Sequence, residues 1–352
     1  MNASAFSITR RLTLILTMAL VGLFFGVGTL SAQEGGADAK AAEKEETSHT
    51  LRIASLAPKG SSWMKSFEAA KRTIAKESGG KIKLKFYAGG VMGDESAMVR
   101  KMRTGQLDGA AVTSVGLGHI DEKLLVLQLP LTFKNYKELD YVRDKMSGTF
   151  QGILGAKGFR LLTWGDVGFN YLFTQTPVKK PSDLRQTKPW VWDTDPVTKE
   201  VMKAAKINAV ALGVPDVLSS LQTGVINTFL NSPYGAVALQ WYTQAKFVTN
   251  LRLAVVIGGV IISEKSLEKL SENQRKIVLD AFEKEGKVLL SQIRKDNAQA
   301  IKTIGKSGIK TVEPTDMKAW TAMAEEARKR LTGKLFPKEL VDEMYGHLKD
   351  VR

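Results

Sequence analysis

The chain has no cysteine and only three histidines in 352 residues. Without a thiol there is no disulfide framework, no thiolate zinc site, no cysteine nucleophile and no lipidated cysteine anchor. His49, His119 and His347 are scattered, so no HExxH pair places two imidazoles on one helix face, and no EF-hand loop stands in for it. The GxSxG nucleophile turn and the phosphate-cradling Walker loop are missing too. Gly116-Leu117-Gly118 begins like the dinucleotide fingerprint GxGxxG, but Asp121 occupies the place of the third glycine. Beyond the N-terminal run no stretch is long and apolar enough to cross a bilayer. These absences leave little for catalysis, metal binding or cofactor chemistry. The expectation is a binding protein that is not an enzyme and carries no cofactor.

What is present begins with Arg10 and Arg11, an apolar run over 12–30, and small residues Ser31 and Ala32. A basic start, an apolar middle and a small-residue end mark a secretory signal peptide, cleaved after Ala32. The run also reaches the lower length limit of a membrane span, so an uncleaved anchor is the alternative. Residues 33–50 are small and charged, with too little apolar surface to offset ordering, and read as a flexible tether. About three hundred residues follow, enough for two domains. The net charge is +15, of which Arg10 and Arg11 supply +2, leaving +13 after cleavage. Export argues against nucleic acid as the partner. Lysines and glutamates alternate along Lys65, Glu68, Lys71, Arg72, Lys76 and Glu77, the pattern of a solvated helical face.

Period and punctuation divide the folded part. Residues 51–58 read as a strand ended by Pro58. A helix follows, capped by Ser61 or Ser62, with Trp63, Phe67, Ala70 and Ile74 at helical spacing. Residues 81–90 alternate apolar side chains with lysines, a strand with one wet face. Gly93-Asp94-Glu95 open a second helix, where acids suit the positive N-terminus; as a catalytic acid pair they are unconvincing, because helix neighbours point apart. Residues 108–114 form a small-residue strand. This strand–helix alternation predicts a parallel sheet with helices on its faces. A single helix over 136–154, a strand over 160–164 and an extended run over 168–175 come next. A second alternation begins past Trp192, with Asp195-Pro196 starting a helix, strands over 207–212 and 225–231, a helix containing Trp241 and Tyr242, and a short strand near 246–250. Residues 251–263 are nearly continuously apolar, as a central strand would be. Ser271 and Gln274 form a capping box for a long helix to about Ile304, in which Gly286 costs about 1 kcal/mol relative to alanine. Two helices near 315–331 and 337–348 finish the chain. The expected fold is α/β with two lobes, a ligand cleft between them, and a long helix spanning both. Lobe I takes 51–173 plus 252–290, and lobe II takes 174–251 plus 291–352.

The folded part resembles the solute-binding proteins of tripartite ATP-independent periplasmic (TRAP) transporters, of the DctP type. The resemblance covers nearly all of 51–352. It rests on Ser78-Gly79-Gly80-Lys81 leading to Tyr87-Ala88-Gly89-Gly90-Val91-Met92-Gly93-Asp94-Glu95, on Thr104-Gly105-Gln106-Leu107-Asp108, on Leu129-Pro130-Leu131-Thr132-Phe133, on Pro181-Ser182-Asp183-Leu184 and on Leu221-Gln222-Thr223-Gly224-Val225. Each piece is weak alone; their order and spacing are specific. The resemblance implies a periplasmic receptor whose lobes close on a small organic acid and deliver it to membrane permease subunits.

The same resemblance implies an arginine that clamps the ligand carboxylate, and here the sequence departs. Trp190 stands at that position, and Asn170 at a second basic one. Phe229 and Leu230 replace an amide and an acid ahead of Asn231. The run 254–259 has no polar side chain. Several losses in one direction imply a different ligand, since a buried unpaired carboxylate costs several kcal/mol. The expected ligand is therefore largely apolar, or has polar groups satisfied by Asn170, Asn231 and hydroxyls such as those of Thr113 and Ser114; Trp63, Trp190, Trp192 and Phe229 complete the expected contacts. The lost arginine also resembles a TRAP subgroup that works with a tetratricopeptide-repeat partner. Two other readings stay open. One keeps a carboxylate ligand and brings in Lys188 or Arg185, with Trp190 and Trp192 as core. The other makes the chain an exported scaffold or sensor.

Overall fold

Lysines at every second position of 81–85 leave one face of a strand in water, and this strand is the outer edge of the main sheet. The structure, a computed structural model, describes residues 47–352. The expected signal peptide and all of the expected tether before Thr47 lie outside the described residues. Strand β1 (His49–Ser55) starts inside the expected tether, because His49 and Thr50 already pair with Ile82 and Lys83 of β2 (Ile82–Tyr87). Between the two strands lies α1 (Ser62–Glu77), capped by the Ser61 hydroxyl, which accepts from the Met64 amide. The helix α2 (Glu95–Arg103) begins at the Asp94 cap, and β3 (Gly109–Thr113) returns parallel to β1.

A short helix α3 (Ser114–Gly118) and a 3-10 turn over 122–128 follow. The single helix expected over 136–154 is two helices, α4 (Tyr136–Lys145) and α5 (Ser147–Gly155). The chain turns at fully buried Met146, so that Leu139 and Val142 on one side and Phe150 and Leu154 on the other all reach one core cluster. The two extended runs expected over 160–175 are one strand, β4 (Phe159–Thr174). Then come β5 (Trp190–Trp192), α6 (Pro196–Ala204), β6 (Val210–Leu212), α7 (Val217–Gln222), β7 (Thr228–Asn231) and α8 (Pro233–Ala238). Trp241 and Tyr242 lie in a single 3-10 turn after α8, entered through Gln240 at φ +61, which ends the helix. Two expected strands near 246–263 fuse into β8 (Phe247–Ser263). The remaining elements are α9 (Glu264–Glu268), α10 (Glu272–Lys306), β9 (Lys310–Val312), α11 (Met317–Leu331) and α12 (Lys338–Asp350).

The main sheet has the order β2-β1-β3-β8-β4-β7, with β9 also on β8. Only the β2-β1-β3 end is parallel throughout; β8 is antiparallel to β3 and β4, and β4 is antiparallel to β7. A separate parallel pair joins β5 and β6. The parallel pairing expected from the strand–helix alternation of 51–114 is present in β2-β1-β3, and the antiparallel strands β8, β4 and β7 extend that sheet. Long-range pairing of β4 with β8 carries no local sequence signal.

That pairing is what joins the two ends of the molecule. β3 pairs with the 258–262 end of β8, while β7 and β9 pair with the other ends, at 171–174 of β4 and 247–249 of β8. Alongside runs α10, 35 residues and about 50 Å long, packed on α1, β4 and α8. Its capping box, Ser271 with Gln274, is present. Gly286, costly in a helix by itself, is buried against Thr163 of β4, whose Cβ would lie 2.7 Å from an added Cβ. The last helix, α12, puts Leu340, Val341, Met344 and Leu348 into the same core cluster as Leu124, Leu139 and Val142.

Candidate ligand-binding cavity

Strand β4 departs from regular pairing with β8 at three places, between Leu161 and Thr163, between Asp166 and Gly168, and between Asn170 and Leu172. Each bulge re-aims the side chains beside it. Gly168 holds φ +126 between two of them, with the Asn297 amide packed where a Cβ would stand. The result is that Thr163, Trp164, Asp166 and Asn170 all reach one cavity of about 220 Å³. Other walls come from the start of α2, the end of β3, β5 with the start of α6, and β8.

All six tryptophans of the chain line this cavity: Trp63, Trp164, Trp190, Trp192, Trp241 and Trp320. Four of them spend the indole N–H on the protein. Trp63 donates to the Asp166 carbonyl at 3.2 Å, Trp190 to the Leu212 carbonyl at 3.0 Å, Trp192 to Asp94 Oδ2 at 2.8 Å and Trp320 to the Lys179 carbonyl at 3.1 Å. What they offer a ligand is ring carbon. Trp190 and Trp241 meet edge-on, with centroids 5.2 Å apart.

Among the described residues that line the cavity there is no lysine, arginine or histidine, while three are acids: Glu95, Asp166 and Asp195. Glu95 is fully buried, and its oxygens meet the Thr113 amide and hydroxyl, each at 2.8 Å. Burial pushes this carboxyl up to about 8, against the pull of the Thr113 hydrogen bonds. Burial also raises Asp195, opposed by its bonds to Thr198. Asp195 caps α6, accepting from the Val197 amide at 2.9 Å and the Thr198 hydroxyl at 2.6 Å, and Gln128 approaches it at 3.4 Å. Asp166 is wholly buried between Arg143 and Arg294, each at 2.8 Å. Both arginines also bind Asp140. Among the described residues no cluster of three or more His, Asp or Glu has the arrangement of a metal site.

Of the residues expected to contact ligand, Trp63, Thr113, Asn170, Trp190, Trp192 and Asn231 line the cavity. Ser114 and Phe229 do not, and this is a correction. Ser114 is buried with its hydroxyl on Gln128 Oε1. Phe229 stacks on Phe173 at 4.9 Å and meets Trp241 edge-on, while Leu230 and Asn231 reach the space. Lys188 and Arg185, offered as substitute bases, point elsewhere: Lys188 Nζ donates to the Gly224 carbonyl and Arg185 to the Ala205 carbonyl. Sequence reasoning missed Glu95, Gln128, Trp164, Asp195, Trp241 and Trp320. Glu95 and Asp195 were read only as helix-start acids, and the tryptophans lie too far apart in sequence to announce a common wall.

The family model for bacterial extracellular solute-binding protein, family 7 (DctP), matches residues 53–334. A solute-binding protein of Chromohalobacter salexigens is 27% identical over 261 residues, 73% of this chain and 77% of that one. The sialic acid-binding periplasmic protein SiaP of Vibrio cholerae is 24% identical over 280 residues, 78% of this chain and 86% of its own. Among solved structures, the sugar acid binding protein DctPAm of Advenella mimigardefordensis, in complex with galactonate, superposes with a TM-score of 0.82 at 19% identity, covering 88% of this chain and 100% of that one. A TRAP periplasmic solute binding protein of Chromohalobacter salexigens, with bound D-glucuronate, gives 0.79 at 23% identity, covering 86% and 100%. The α/β architecture described above is that of the two-lobe TRAP binding proteins. The relatives whose names state a ligand take acids; none of these names points to a hydrophobic one.

Proposed function

This chain belongs to family 7 of the bacterial extracellular solute-binding proteins, the DctP family, and from that premise we propose that it is the periplasmic receptor of a TRAP-type transporter whose enclosed ligand is uncharged and mostly apolar. The observation that carries the reading is the lining: six tryptophans, three acids and no base. A carboxylate taken into such a space loses its hydration and gains no cation, at a cost of several kcal/mol. A neutral apolar ligand loses nothing comparable and gains from every ring face it covers. Its partners are TRAP membrane permease subunits. A tetratricopeptide-repeat partner forms no part of the reading, since no named relative carries it.

The lobes are assigned at the ends of the β4–β8 ribbon. Lobe I takes 51–173 plus 252–290, and α12 goes with it because it packs on α4; the rest of 174–251 plus 291–336 is lobe II. Among the hydrogen bonds that join the lobes so defined, two lie at the cavity wall, Trp192 to Asp94 and Gln128 to Asp195. A ligand touching both walls favours the state in which they form.

The acid-bearing names of the relatives favour a second reading, a sugar-acid or other carboxylate receptor. Tryptophan fluorescence separates the two, because the whole tryptophan complement lines the cavity. Titration with D-glucuronate, galactonate and sialic acid should leave the emission unchanged to millimolar concentration, while neutral apolar compounds quench or shift it. Micromolar binding of any of the three acids would overturn the apolar reading.

A further inference from the structure

In a cavity walled by ring carbon, one buried side-chain acceptor is unspent. Asn170 Oδ1 is buried and has no hydrogen-bond partner, and Asn170 lines the cavity. Its neighbours in the wall are occupied. Glu95 is held by Thr113, Asp195 by Thr198 and two backbone amides, and Asp166 by Arg143 and Arg294. Asn231 Oδ1 accepts from the Ser232 amide at 2.8 Å, and Thr163 donates to the Trp164 carbonyl at 3.3 Å. A buried acceptor left unpaired is costly, and the few such groups in a native protein call for a specific explanation. Position adds to this. Asn170 sits at the last bulge of β4, so the backbone is bent where the amide enters the cavity. Across the ladder stands Ala254, a small residue that also lines the cavity.

We propose that Asn170 reads the one polar group of the ligand, and that this group is a neutral hydrogen-bonding one, an amide or a hydroxyl, on an otherwise apolar ring or chain. The inference rests on the apolar-receptor reading above and names the chemistry that reading leaves open. A primary amide has a donor and an acceptor side by side, so it pairs with a ligand amide in two bonds or with a hydroxyl in one. A carboxylate could take only the N–H half and would face Oδ1 with its second oxygen. The ligand-facing tryptophans have their N–H groups turned to the protein at positions 63, 190, 192 and 320. They select for apolar surface, and Asn170 sets orientation.

The test uses the mature chain and three probes of one size: toluene, benzamide and benzoate, titrated by tryptophan fluorescence. The expected order is benzamide about tenfold tighter than toluene, with benzoate weakest. In Asn170→Leu the benzamide advantage falls to about one while toluene binding is kept. The ligand-free melting temperature holds or rises, since an apolar side chain of similar size replaces an unpaired acceptor. Asn170→Asp keeps the shape and reverses the preference: benzamide weakens and benzylammonium gains. An unchanged benzamide-to-toluene ratio in Asn170→Leu, or no gain of benzylammonium in Asn170→Asp, overturns the role of Asn170 and leaves the apolar receptor standing. Benzoate binding tighter than both neutral probes overturns the apolar receptor itself. Absence of any response to the three probes at millimolar concentration overturns both.

Discussion

Replacing Glu95 with glutamine should abolish a pH dependence of stability that the wild-type chain carries between acid and mildly basic conditions. Glu95 is fully buried at the start of α2, and burial raises its carboxyl from 4.5 to about 8. Between those values the folded protein holds a proton that the unfolded chain has released. Its contribution to stability is therefore complete below 4.5, declines as pH rises, and is spent once pH passes about 8. Each pH unit inside that window is worth about 1.4 kcal/mol, so the loss from pH 5 to pH 8 is on the order of 4 kcal/mol. For a chain of this length that lowers the melting temperature by roughly 8 °C. Asp195 is raised by burial too, with the same sign, so the informative quantity is the difference between wild type and variant. Glutamine suits the site, because its amide can accept from the Thr113 N–H and donate to the Thr113 hydroxyl, the two partners of Glu95. Melting curves at pH 5, 6, 7 and 8 and constant ionic strength are the assay. The variant's curve should be flatter than the wild type's by most of the 8 °C. Parallel curves would refute a neutral Glu95 in the wall of the cavity.

Two further outcomes follow from the packing. Gly286→Ala should destabilise the protein by about 1–2 kcal/mol in urea titration although alanine is the better helix former, because the new Cβ would lie 2.7 Å from Thr163 Cβ on β4; a more stable variant would mean that α10 and β4 are further apart than described. Trp192→Phe keeps a ring and removes only the N–H that reaches Asp94 across the cleft at 2.8 Å. A hydrogen bond to a charged acceptor contributes about 1.5–3 kcal/mol, so the dissociation constant of whichever probe binds should rise roughly ten- to a hundredfold with an unchanged ligand-free melting temperature, and an unchanged constant would show that the bond does not stabilise the closed state.

What could be read from the sequence was local. Ser61, Asp94, Asp195 and Ser271 start helices where the residue types require, and each side chain accepts from a backbone amide of the first turn. The alternation of 82–87 marks a strand with one solvated face, and the apolar run of 251–263 a central strand. What could not be read depends on partners distant in the chain. Nothing in Phe159–Thr174 announces that it pairs antiparallel with Phe247–Ser263, nor where its three bulges fall. The break at Met146 is a matter of which core two half-helices must reach. Gly286, a liability on the helix scale, makes sense only once Thr163 is seen against it.

The site divides in the same way, and the division bears on the ligand. The resemblance implies basic residues where this chain has Asn170 and Trp190; that no lysine, arginine or histidine is among the described residues lining the cavity is visible only in space. Two arginines do lie one layer away. Arg143 and Arg294 stand behind Asp166, which lines the cavity while binding both at 2.8 Å. To serve a ligand carboxylate, either would have to leave a carboxylate that is wholly buried, and breaking such a buried pair costs about 3–5 kcal/mol. Arg143 is itself buried, and Arg294 stacks over Tyr136 with its guanidinium 4.3 Å from the ring centroid, so movement would forfeit packing as well. The positive charge of these two arginines is thus already neutralised by the acid that forms the wall of the cavity. A carboxylate ligand would have to compete with Asp166 for either arginine, whereas a neutral one need break no ion pair.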